Sequence, residues 1–231
     1  MADSSEKTED PTGKRIQDAR SKGQIARSRE LSTTLVLVAS SLMLLLFGSF
    51  IAEALFAISG RMFTLSRDET YDPTHMFSAW GVAITEVSTP VLSFMFVSMI
   101  AGIYGSIALG GYNFTWYSAA PRFSKLNPLS GMKRMFGVNG LVELLKAFAK
   151  FIVIGAMALI SLSLFQDEAL HLDQEIFPLN IFHALDMIEW AFFLLTLGMV
   201  PIALFDVPYQ SYKHNEQMKM TKQQVKDERK N

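Results

Sequence analysis

There is no cysteine among the 231 residues. That excludes disulfides, thiolate metal ligands and cysteine nucleophiles. Histidine is scarce and scattered, at His75, His171, His183 and His214, and the spacing of His171 and His183 carries no metal signature. The chain also lacks a phosphate-binding glycine loop, a serine elbow and an HExxH helix. No catalytic residue, cofactor or metal site is therefore expected, and the chain reads as a non-enzyme. Its opening, MADSSEKTEDPTGKR, is polar, whereas a cleavable secretory signal would place an apolar stretch much nearer the start. No such signal is expected. Charge is missing over long distances as well: none lies between Leu31 and Ala52, and none between Val87 and Pro121.

What fills those gaps is apolar. Uncharged runs of about 18 residues or more cover the roughly 30 Å of a bilayer's hydrocarbon, and half of the whole chain (50%) is hydrophobic. The expected fold is all-α: an integral membrane protein with four transmembrane helices, arranged as two helical hairpins. The spans are placed at about 31–58, 87–111, 141–165 and 184–205 within a membrane domain of 31–205. Thr89-Pro90 opens the second and Gly110-Gly111 closes it; Pro201 interrupts and kinks the fourth. The last two spans have short charge-free cores, 151–165 and 191–205. To cross, the third must include Lys146 and Lys150, and the fourth Asp186 and Glu189. Such charges either snorkel at the membrane edge or meet polar groups of protein partners.

Lysine and arginine alternate in number across the spans. Seven precede the first, two (Arg61 and Arg67) lie in the first loop, four in the second, none in the third, and six in the tail. By the positive-inside rule both termini and the second loop, 112–140, are cytoplasmic. Residues 1–30 then form a cytoplasmic, basic amphipathic segment. In it Asp10-Pro11 reads as a helix cap and first residue, followed by a basic helix from Lys14 stopped at Gly23. This helix either rests on anionic lipid or docks on a partner.

The second loop is aromatic, basic and free of acid. Leu126, Leu129, Met132, Met135 and Phe136 make an apolar stripe at near-helical spacing, started by Asn127-Pro128. It is either an interfacial helix on lipid or a binding element for another protein; nothing accompanies the charge that would suit nucleic acid. Ala101 with Gly105, and Gly102 with Ser106, would let the second helix approach another closely. Glu143, Lys146 and Lys150 share one helix face, which reads as an ion pair at the cytoplasmic edge or as part of an ion or proton path. Asp72-Pro73-Thr74-His75 reads as a turn or helix start. The tail, 206–231, is polar and helix-prone and is read as the start of a cytoplasmic linker, truncated before a further domain.

Three stretches carry a resemblance: EKTEDPTGKRIQDARSKGQIARSREL, PRFSKLNPLSGMKRMFGVNGLVELLKAFAK and DVPYQSYKHNEQMKMTKQQVKDERK. In order and wording they resemble the FlhB family of type III export-apparatus switch proteins, most nearly its flagellar branch. The resemblance implies a multi-pass inner-membrane subunit at the flagellar basal body. It implies association with the membrane proteins of the export-gate core, with other export components and with lipid, and, through the full-length protein, with exported flagellar substrates. It also implies that the second loop wraps the cytoplasmic mouth of the core. The contacts would then be Pro121, Arg122, Phe123, Lys125, Leu126, Asn127, Pro128, Leu129, Met132, Lys133, Arg134, Met135 and Phe136. Family members continue into a domain that cleaves itself within Asn-Pro-Thr-His, which this sequence does not include. The rival reading, a small ion or solute transporter, would need polar groups facing one another at mid-membrane. Here the charges gather at the edges.

Overall fold

The computed structural model describes residues 7–113, 115 and 138–230. Among these, α-helix dominates and the one β-type feature is an isolated bridge between Glu9 and Met220. The helices are α1 (Gly13–Ser21), α2 (Arg29–Phe63), α3 (Arg67–Tyr71), α4 (Pro73–Ile107), α5 (Val138–His171), α6 (Leu179–Leu197), α7 (Met199–Met218) and α8 (Lys222–Lys230). Four helical stretches are long and apolar enough to cross a membrane: Arg29–Phe63, Phe77–Ile107, Gly140–Gln174 and Leu179–Met218. Their large apolar side chains stand mostly exposed, among them Leu46, Phe96, Phe151 and Phe205. A water-soluble fold does not leave that much contiguous apolar surface bare, and hydrocarbon or neighbouring protein is the surround it suits.

The helices outrun the expected spans, and their ends have local causes. Thr12, not Asp10, caps α1: its hydroxyl accepts the Arg15 N–H, and Gly23, at a φ of 73°, ends the turn beyond the helix. Ser28 starts α2 by accepting the Leu31 N–H at 3.0 Å. The second long helix begins at Pro73, well before Val87, so Pro90 lies inside it rather than at its start. Asp72 explains that beginning. Its carboxylate accepts the Thr74 N–H at 2.9 Å, with Pro73 in the first helical position, where no N–H is needed. Gly111, at a φ of 74°, closes the far end. In the fourth stretch the break falls at Gly198, between α6 and α7, and Pro201 sits in the first turn of α7. Pro201 has no N–H for the Leu197 carbonyl and its ring crowds that carbonyl, which favours a break in the preceding turn.

By contacts the chain divides into two compact units. The first draws on Met1–Ser32, Tyr104–Lys150 and Pro201–Asn231; the second on Thr33–Ile103 and Phe151–Val200. In the second unit, packing between helices relies on small residues. Ser40 and Ser98 hydroxyls meet at 3.0 Å, Ser41 and Thr196 at 2.9 Å, and Gly102 lies against Val36. In the first, Gly105 lies directly over Ser32, where a Cβ would fall 2.7 Å from the Ser32 Cα. The small-residue pattern of α4 therefore serves α2.

Candidate functional site

The residues expected to contact a partner, Pro121 to Phe136, lie outside the described residues. What the structure does define is the first unit around them in sequence, and its centre is a buried carboxylate. Asp206, on α7, is 4% exposed. It accepts the Ser28 hydroxyl at 2.6 Å, the Lys146 ammonium at 2.7 Å and the Gln210 amide at 3.2 Å. Lys146, from α5, also lies 3.5 Å from Glu143 and 4.7 Å from the centre of the Tyr209 ring. One turn along α5, Lys150 pairs with Glu30 of α2 at 2.6 Å. The two lysines that shorten the third apolar run are thus held by acids of two other helices, α2 and α7. A charge withdrawn from water is tolerable only when its partners replace the lost hydration, and Asp206 has three.

This arrangement ties helices together. Lys146 meets two carboxylates and Lys150 one, and Asp206 accepts from three donors. Of the two readings of the Glu143–Lys146–Lys150 face, the geometry matches the ion pair, with Asp206 and Glu30 as the stronger partners. Among the described residues, no group of three or more histidines and acids is placed to hold a metal.

Around this centre the N-terminal segment touches the tail, the end of α4 and α5. Glu9 and Met220 exchange both backbone hydrogen bonds, at 3.0 and 2.9 Å. The Thr12 hydroxyl meets the Glu228 carboxylate. The Asn113 side-chain amide donates to the Arg20 carbonyl at 2.6 Å. Gly110 fits against the Ala26 carbonyl and Ile25, where a Cβ would not. The basic segment is therefore a packed part of the unit, with Ala19, Ser28, Met218 and Met220 all buried.

The second unit carries a cleft of about 680 Å³, lined by Ile58, Met62, Leu65, Trp80 and Val82 with a few polar groups. Those polar groups are engaged with one another or with immediate neighbours. Ser66 and Glu69 form a reciprocal capping box on α3, Glu69 reaches His75 at 3.0 Å, and Arg61 pairs with Glu86 at 2.7 Å. The Ser66 N–H, then its hydroxyl and His75, hold the Glu69 carboxyl down at a pKa of about 2. The Thr74 hydroxyl and N–H lower that of Asp72. Asp72-Pro73-Thr74-His75 is thus a helix start. His183 is bound by Glu175 at 2.7 Å, and His171 by the Asp167 carbonyl at 2.6 Å.

Sequence reasoning missed Asp206 as the hub and missed the Glu9–Met220 pairing. For Asp206 a signal existed. It follows an apolar run at an end assigned to the same side as Lys146 and Lys150, so opposite charges waited at one level of the membrane. Glu9 and Met220 leave no such trace.

The family model described as "FlhB HrpN YscU SpaS Family" matches residues 5–231. Among curated relatives, the flagellar biosynthetic protein FlhB of Escherichia coli is 32% identical over 98% of this chain and 59% of its own length. The protein of the same name from Salmonella typhimurium is 32% identical over 99% and 60%. The Yop proteins translocation protein U of Yersinia pestis is 28% identical over 97% and 63%. The chain thus spans about six tenths of the length of the curated relatives it matches. Matched from residue 5 to residue 231 and built of membrane-length helices, this chain belongs to the FlhB HrpN YscU SpaS family.

Proposed function

We propose that the chain is the membrane-embedded part of a flagellar type III protein export apparatus, a non-enzymatic subunit that docks on the export-gate core and controls its cytoplasmic entrance. The observation that carries this reading is the alignment with flagellar relatives over nearly the whole chain. Four helices of membrane length support a multi-pass subunit in the cytoplasmic membrane. The alternation of basic residues supports cytoplasmic termini and a cytoplasmic second loop. Its partners in this reading are the membrane proteins of the gate core, other components of the apparatus and lipid; exported flagellar proteins are met through the full-length protein.

The docking element in this reading is the loop segment Pro121 to Phe136, whose apolar stripe and basic residues suit a protein surface better than water. The test is a detergent pull-down of the tagged chain from cells that make the gate core. Beside it runs a variant with Leu126, Leu129, Met132 and Phe136 all changed to Ser. The intact chain should bring down the core and the variant should not. Capture by both would move the docking surface to the helices, and capture by neither would remove the gate-subunit reading.

A further inference from the structure

We propose that the N-terminal segment is a strap that couples the tail helix α8 to residue 113, where the chain enters the second loop. Its role in gate control rests on the function proposed above; the mechanical tie does not. The strap has a joint at each end of α1. At the N-terminal end, Glu9 and Met220 exchange two backbone hydrogen bonds. The Met220 side chain is 2% exposed, among the most buried in the molecule. Thr12 strengthens this joint twice over: its hydroxyl caps α1 and contacts Glu228 on α8. At the other end, Arg20 lies in the last turn of α1, and its carbonyl holds the Asn113 amide at 2.6 Å. Just beyond, Ile25 and Ala26 press on Gly110.

A helix of nine residues (about 13 Å) is stiff along its axis. A displacement of α8 at Thr12 and Glu9 is therefore delivered to Asn113 rather than absorbed between. The first joint is a single bridge and not a ladder. Two backbone bonds opened together are within reach of local fluctuation, so the strap can release the tail without unfolding the unit. That combination, a stiff rod with one releasable joint, is what a coupling element needs.

The test uses the whole protein reconstituted in lipid, with hydrogen exchange read over residues 13–21, 110–113 and 222–230. Glu9→Pro removes the donor at the joint. It should speed exchange in all three segments, by about fivefold from the loss of that one backbone bond. Acceleration confined to 222–230 would mean that the strap pins the tail without transmitting, and overturns the coupling. No acceleration anywhere overturns the strap itself. A second variant guards against mere misfolding. Residues that exchange both bonds across a bridge sit about 5.5 Å apart at Cα, within disulfide reach, and this chain has no other cysteine. Glu9→Cys with Met220→Cys should therefore crosslink on oxidation and slow exchange in all three segments together. Failure to crosslink, or slowing at 222–230 alone, counts against the proposal. Failure of the gate reading has a different signature: normal export from cells in which the crosslink is complete.

Discussion

In the first unit acids are held across helices by charge: Asp206 by Ser28, Lys146 and Gln210, and Glu30 by Lys150. In the second, hydroxyls meet between helices: Ser40 with Ser98, and Ser41 with Thr196. The difference lies in what each group can fall back on. Ser41 also donates to the Val38 carbonyl at 3.0 Å, and Thr196 to that of Phe193 at 2.8 Å, each within its own helix. A hydroxyl on a helix always has such a carbonyl within reach. Asp206 is less well provided: only Gln210 lies on its own helix, and its two closer donors, Ser28 and Lys146, come from elsewhere in the unit. Hydroxyl seams therefore forgive the loss of a partner, and ionic hubs do not.

The hardest test of that contrast is at the hub. Asp206→Ala leaves the Lys146 ammonium partly buried without its main counter-ion, and Lys146→Met leaves the carboxylate. Each should cost about 3 to 5 kcal/mol, read as a fall in denaturation midpoint of the detergent-solubilised protein. The double variant Lys146→Met with Asp206→Leu should recover most of the loss, since it removes both charges at once. A cost below about 1 kcal/mol for either single change would erase the distinction between the units. Ser41→Ala sharpens it from the other side. Thr196 keeps its Phe193 carbonyl, so the loss should be about 0.6 kcal/mol, and a double-mutant cycle with Thr196→Val should show coupling no larger than that.

The smallest effect concerns a charged group that is only partly withdrawn from solvent. Glu69 has a pKa near 2 against an ordinary 4.5, so its depressed value stabilises the folded hairpin above the ordinary value. That stabilisation shrinks as pH falls below 4.5 and is gone once pH has passed through about 2. Amide exchange in α3 should stay flat from neutral pH to about 5 after correction for intrinsic rates, then rise toward pH 2. Glu69→Gln should remove the pH dependence. A flat profile in the parent protein would discard the capping box as its cause.

Much of the architecture was legible because membranes write it in plain composition. Charge-free runs marked the four long helices, Gly110-Gly111 marked the end of α4, and Gly102 and Gly105 announced its close approach to another helix, which is α2. Other features were obscured by local signals that point two ways. Pro90 reads as a helix start, yet α4 runs through it, because the cap at Asp72 already supplies a start and a long apolar helix tolerates one missing bond. Pro201 did mark a discontinuity, but the chain breaks at Gly198, a turn earlier, where the lost carbonyl partner is felt. The site was harder. Ser28 and Asp206 are 178 positions apart, and no periodicity connects them. The charges themselves were visible; which charge meets which is decided by packing, and packing is not written in spacing.

The pairing of Glu9 with Met220 also sets an order in time. Thr12 and Met220 are separated by 208 positions, so on the ribosome the strap is made well before its partner. At about 5 to 20 residues per second, the N-terminal segment waits on the order of ten to forty seconds. The four long helices are synthesised within that interval. The bridge between Glu9 and Met220 is thus a closing event of biogenesis: it can form only after every intervening helix has been made. Until then the basic segment lacks these partners, and its burial follows the synthesis of every helix up to Met220.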